Sequence, residues 1–326
     1  MADALRPGTR STRSMQTTPL TPHVVETSGL TKRFGDRTVV GDVALQVPRG
    51  VAFGYLGPNG AGKTTLIRML LGLTPASSGS MSLLGFPLPD RRAEALAHVG
   101  AIVEEPHFLG HLTGRQNLEI VAAVRGPQAY PLIDGALDRV GLTARAQDRV
   151  KTYSLGMRQR LGIARCLLAD PQLLILDEPM NGLDPGGIQE FRGFVRDFVD
   201  EGRTIVLSSH LLDEVEKTCD HVAIVDQGRI VVQGSIDELR GTDGLQLLLE
   251  VDDTARARVL LANERAVDLV ADDGESLRVT LVDPAAVSDL NRRLVESGIA
   301  VRRLEPQQAT LEQRFLEVTT RLENAA

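Results

Sequence analysis

The chain has 326 residues, 42% of them hydrophobic and 24% charged, with a net charge of −7. That composition supplies a core for two domains, or for one large domain with an appendage. An acidic balance with 3% aromatics and no tryptophan offers neither a basic stripe nor base-stacking platforms, so nucleic acid is not an expected partner. No apolar run approaches the ~18 residues of a membrane span.

Residues 1–22 are rich in Ser, Thr, Pro and Arg, lack the apolar centre of a signal peptide, and read as a disordered tail. "VVETSGLTKRF" and "TVVGDVALQV" then read as two strands around a turn at Gly35-Asp36. "VAFGYLG" is a short apolar strand that enters a glycine-rich loop, and "TTLIRMLLGL" is the helix behind it. From Thr113 to Leu142 the pattern is helical, with Pro131 at a helix start. "QLLILDEP" and "RTIVLSSH" are continuous apolar strands of the kind buried in a parallel sheet, separated by a helix after Pro185. Strands alternating with helices indicate an α/β sheet with ligands at the strands' carboxyl ends.

Near Arg240-Gly241 the character changes, and residues 241–326 hold 16 acids against 10 bases. The pattern there predicts strand 245–251, helix 254–262, strands 266–270 and 277–282, helix 285–297, strand 299–304 and a last helix 310–322. That is the split βαβ, ferredoxin-like order with an extra helix. Leu311, Phe315, Val318 and Leu322 make one apolar stripe on the last helix. It packs either on its own sheet or on the same region of a second subunit. Cys166 and Cys219 have neither metal-ligand nor CxxC spacing and read as reduced structural thiols.

"GPNGAGKTT" fits the GxxxxGK[ST] pattern through Gly57, Gly62, Lys63 and Thr64, and Pro58, Asn59, Gly60, Ala61 and Thr65 complete the loop. Its glycines let backbone N–H groups wrap phosphate oxygens, and the helix beginning near Lys63 adds a positive dipole end. Lys63 brings a full charge to the β- and γ-phosphates of ATP, and the Thr64 hydroxyl is a ligand for Mg²⁺. Asp177, at the end of "LLILD", reaches that magnesium directly or through water, and Glu178 is placed to polarise an attacking water. A bare carboxylate pair closing an apolar strand is costly without such a role.

With these motifs in place, residues 23–240 resemble the ATP-binding subunit of an ABC transporter, of the drug-resistance exporter type (the bacitracin, daunorubicin and tetronasin group). The resemblance implies a P-loop α/β domain with a mixed core sheet, an antiparallel β subdomain and a helical subdomain over about 105–170, with residues 241–326 as a small α+β accessory domain. "YSLGMRQ" stands where the family carries its signature motif, with Ser154 and Gly156 at the characteristic positions; Leu155 and Met157 depart from it. In this family two subunits pack head to tail, and one signature closes over the γ-phosphate held by the other's loop. Ser154 also suits a plain helix N-cap.

The resemblance further places Phe34 on adenine, Asp184 ("NGLDP") in the loop between the two sites, and His210 on the γ-phosphate. The alternatives are a core aromatic for Phe34 and a surface turn for Asp184. Glu104, in "EEPHF", stands where the family carries glutamine; it either joins the magnesium ligands or points into solvent. The function implied is a Mg²⁺-dependent ATPase at the cytoplasmic face of the membrane. It would pair with a second, identical ATP-binding subunit and energise integral membrane permease subunits that export drugs or other hydrophobic compounds. A soluble ATPase acting on ribosomes or DNA is the competing reading, and a non-hydrolysing ATP sensor is a third.

Overall fold

The computed structural model describes residues 22–240, 245–264, 267–272, 276–281 and 284–307. In chain order, β1 (His23–Phe34), β2 (Arg37–Val43), β3 (Gln46–Pro48) and β4 (Ala52–Leu56) lead to helix α1 (Lys63–Leu70). Next come β5 (Ser78–Leu83), β6 (Phe86–Leu88), α2 (Arg92–Ala97), β7 (Val99–Ile102), α3 (Gly114–Arg125), α4 (Leu132–Arg139) and α5 (Leu155–Leu167). After them run β8 (Leu173–Leu176), α6 (Pro185–Asp200), β9 (Thr204–Ser209), α7 (Leu212–Thr218), β10 (His221–Asp226), β11 (Arg229–Ser235) and α8 (Ile236–Arg240). The last group is β12 (Leu245–Val251), α9 (Thr254–Leu261), β13 (Val267–Asp272), β14 (Leu277–Leu281), α10 (Val287–Glu296) and β15 (Val301–Gln307).

The main sheet has the order β11-β10-β4-β9-β8-β7, parallel throughout except for β11 at its edge. Every residue of β4, β8 and β9 is buried, as strands covered on both faces require. One face packs on a second, antiparallel sheet, β2-β1-β5-β6 with β3 beside β1, and on α1 through Leu66, Ile67 and Met69. The other face packs on the helices, where Leu118, Leu161, Ile163, Phe194 and Phe198 share one cluster with Leu174 and Leu176 of β8.

The antiparallel hairpin pairs Phe34 with Arg37, so its turn falls where Gly35-Asp36 placed it. α1 ends at Leu70, three residues short of the expected Leu73, because Gly72 takes φ +65 and its N–H returns to the Met69 carbonyl. The expected helical run from Thr113 divides in two. Gly126, at φ +110, closes α3, and Pro127 behind it has no N–H to extend the ladder. Thr113 and Gln116 form a reciprocal capping box at the start of α3, worth about 1 kcal/mol. Pro131 sits at the N-cap of α4.

Beyond residue 244 a separate four-stranded sheet has the order β13-β14-β12-β15, antiparallel at every pairing. With α9 crossing from β12 to β13 and α10 from β14 to β15, this is the ferredoxin-like arrangement. Its core of Leu247, Leu249, Leu261, Val279, Leu290 and Leu294 is distinct from the two clusters around the main sheet. The expected helix over 310–322, with Leu311, Phe315, Val318 and Leu322, and the tail over 1–21 lie outside the described residues.

Candidate functional site

Register sets the site. Leu56 of β4 is paired with Ser209 of β9, and Leu176 of β8 with Leu207, so the residues following these strands emerge side by side. The 57–65 loop, Asp177, Glu178 and His210 all leave the sheet at this edge.

Two glycines of the loop are dictated by space. A Cβ on Gly57 would sit 2.3 Å from the Val225 carbonyl oxygen, and one on Gly62 would sit 2.6 Å from that of Val39. Gly62 also takes φ +93, a conformation that suits only glycine there. It precedes α1 without any side-chain cap, so the first N–H groups of that helix are left for an anion. Lys63 is only 6% exposed. Its ammonium donates to the carbonyls of Gly57 (2.7 Å) and Pro58 (3.3 Å) and lies 3.2 Å from Glu178 Oε1. A buried ammonium requires such partners.

The Thr64 hydroxyl donates to Asp177 Oδ2 at 2.7 Å. The other Asp177 oxygen accepts from the Ser208 hydroxyl, and Ser208 Oγ in turn accepts the Glu178 N–H at 2.9 Å. Glu178 itself holds φ +47, an uncommon backbone for a non-glycine residue, and its second oxygen lies 3.0 Å from His210 Nδ1. Thus Lys63, Thr64, Asp177, Glu178 and His210 form one connected cluster. A hydroxyl and a carboxylate oxygen side by side are the hard donors that magnesium prefers, and the glycine cradle fits a chain of phosphates.

Ser208 is fully buried and was not singled out from sequence. The available signal was two serines closing an otherwise apolar strand, directly before His210.

Other expected residues lie elsewhere. Glu104, at φ +65, has a largely exposed carboxylate that pairs with Arg68 of α1, not with Thr64 or Asp177. Phe34 is 53% exposed at the hairpin tip, with Lys32 Nζ 4.8 Å from its ring centre. The hairpin borders the loop, since Val39 and Val40 of β2 touch Gly62. Ser154 caps α5 by accepting the Met157 N–H at 3.2 Å, and Asp184 caps α6 by accepting that of Gly187 at 2.9 Å. Ser154, Gly156 and Asp184 line a groove of about 840 Å³ that includes none of the loop residues 57–65, nor Asp177, Glu178 or His210. One chain therefore presents two surfaces, the phosphate loop with its carboxylates and the α5–α6 groove.

The sheet, loop and carboxylates define a P-loop nucleotide-binding protein. The family model described as "ABC transporter" matches residues 40–181. An ABC transporter ATP-binding protein of Bacillus subtilis, YdbJ, is 40% identical over 300 residues, covering 91% of this chain and 96% of its own. The bacitracin transport ATP-binding protein BcrA of Bacillus licheniformis is also 40% identical over 300 residues, covering 90% and 97%. A solved ATP-binding subunit of an ABC transporter superposes with a TM-score of 0.60 at 30% identity, over 67% of this chain and 92% of that one. The chain belongs to the ABC transporter family, as an ATP-binding subunit with the ATPase activity of that family.

Proposed function

We propose that the chain drives a separate integral membrane permease that exports hydrophobic antibiotics, bound to it at the cytoplasmic face of the membrane and acting as a pair of identical subunits. What carries this reading is similarity to BcrA over 90% of this chain and 97% of that one, more than the ATPase region alone can account for. The relatives named above are transporter subunits, and they lend the ribosome- or DNA-acting alternative no support. Among the described residues no helix is long and apolar enough to cross a membrane.

In the proposed mechanism, Gly57–Thr65 bind the phosphates of ATP and Phe34 stacks on the adenine. Thr64 and Asp177 would hold Mg²⁺, which would supply charge neutralisation for the transferring phosphoryl group. Lys63 exchanges Glu178 for the β- and γ-phosphate oxygens, and this frees the Glu178 carboxylate to orient water. His210 keeps Glu178 in place and faces the γ-phosphate. Ser154 and Gly156 of the second subunit, with the α5 dipole behind them, close the site, and Asp184 connects the two sites. Glu104 would have to leave Arg68 to join Thr64 and Asp177 as a ligand.

The test is ATPase activity of the purified complex with its permease in lipid vesicles, titrated with bacitracin and a panel of hydrophobic antibiotics. At least one compound is expected to raise turnover twofold or more, and Glu178→Gln to abolish that response. A flat response across the panel would overturn the export reading.

A further inference from the structure

Residues 103–106 connect β7 to the helical region, and three consecutive side chains of this segment are tied to two helices, α1 and α5. Glu104 pairs with Arg68 in the last turn of α1, the helix that begins at Lys63. Glu105 accepts from Nη2 and Nε of Arg158 on α5, at 3.3 and 3.4 Å. Pro106 rests on Gly162 of the same helix so closely that a Cβ there would lie 2.9 Å from the proline ring. The remaining nitrogen of Arg158, Nη1, donates to the Tyr153 carbonyl at 2.8 Å. Tyr153 immediately precedes Ser154, the N-cap of α5. An unbroken run of contacts therefore joins the phosphate-loop helix to the turn that presents Ser154 and Gly156.

We infer that Glu105 and Arg158 are positioning residues for the shared ATP site. Glu105 orients the Arg158 guanidinium, and Arg158 fixes the carbonyl of Tyr153 and with it the angle at which Ser154 and Gly156 meet the other subunit's nucleotide. The planar fork of arginine suits this task, because it engages the carboxylate with one edge and keeps a third nitrogen for the carbonyl. The Glu105–Arg158 pair is largely solvent-exposed, with side-chain accessibilities of 53% and 33%, so it contributes little to folding stability. Its placement between two helices that the nucleotide must bring into register gives it a different use. This inference rests on the shared-site reading above.

The experiment uses the full chain carrying Glu178→Gln, which is expected to bind ATP with little turnover. Light scattering across an ATP titration measures pairing of subunits. A fluorescent ATP analogue, added to protein dilute enough to stay single, measures the phosphate loop alone. Glu105→Ala and Arg158→Gln are each expected to weaken ATP-driven pairing tenfold or more, while the analogue's affinity stays within twofold. The double variant is expected to be no worse than Arg158→Gln, because both changes cut one chain of contacts. Glu105→Gln, which keeps an acceptor, is expected to fall between Glu105→Ala and the parent.

Parent-like pairing of Glu105→Ala, or additive losses in the double variant, would overturn the inference. A matching loss of analogue affinity would also overturn it, by exposing a general effect on the fold. If the Glu178→Gln parent itself never pairs on ATP, the shared site falls first; pairing by the parent and all variants alike removes only the positioning role.

Discussion

Replacing Ser208 by alanine gives a direct test of how the carboxylates are held. The hydroxyl donates to the Asp177 side chain and accepts the N–H of Glu178, inside a strand with no exposed residue. Loss of a hydrogen bond to a charged group costs about 1.5–3 kcal/mol, and leaving a sequestered N–H without its acceptor costs about 1–3 kcal/mol. The two losses share one hydroxyl and are not fully additive, so we expect about 3 kcal/mol in all. For a domain of this size each kcal/mol moves the melting temperature by about 2–4 °C, which places the variant about 6–12 °C below the parent. Thermal melts by circular dichroism read this directly. In an Asp177→Asn background the cost of Ser208→Ala is expected to shrink by about half, because the charge-assisted component is gone. The same variant is expected to gain less melting temperature than the parent on adding ATP and magnesium, since Asp177 is then less well placed. A melting temperature within about 2 °C of the parent would refute the reasoning, because the hydroxyl would then carry neither contact.

Glu178→Gln is expected to hold ATP with turnover reduced at least about 100-fold, the scale of a general-base contribution, as measured by phosphate release and retained nucleotide. Near-normal turnover would remove Glu178 as the group that orients water. Glu104→Gln is expected to shift the magnesium midpoint of ATPase activity, because it removes a charge that Arg68 otherwise holds; an unchanged titration would confine Glu104 to its pair with Arg68. Burial pushes the Cys166 thiol up to about 11 and raises that of Cys219 further. At pH 8 only about one Cys166 in a thousand is then a thiolate, so iodoacetamide is expected to spare the native chain and to label two thiols after unfolding in urea. Because the folded chain holds these protons more tightly than the unfolded one, stability is expected to be intact below about pH 8.5 and to fall as pH rises above it.

How much of this was legible in the sequence follows from the range over which each residue acts. The 57–65 loop was legible because its GxxxxGK[ST] spacing is contiguous in the chain, even though the carbonyls that exclude a side chain at Gly57 and Gly62 come from distant Val225 and Val39. The ferredoxin-like order was legible because alternating apolar residues, such as Leu247, Leu249 and Val251, mark each strand. β5 was not, because "SGSMSL" is half exposed and offers little apolar pattern. β10 is a different case, since "HVAIVD" is mostly buried and apolar, a run of the same kind as β8.

At the site, chemistry-bearing residue types were readable but their partners were not. Arg68 and Glu104 are 36 positions apart, and Glu105 and Arg158 are 53 apart; only the fold brings them together. The role of Ser208 is hidden in the sequence for a related reason. Its hydroxyl matters because register sets it beside Asp177, a fact that lives in the pairing of β8 with β9.

The account depends on a site completed by a second subunit. ATPase activity per subunit, followed as the full chain is diluted through the pairing range at saturating ATP and magnesium, tests this most directly. The expected result is activity per subunit that falls roughly tenfold for each tenfold dilution once most subunits are single. Activity per subunit that stays constant while light scattering shows single chains would contradict it.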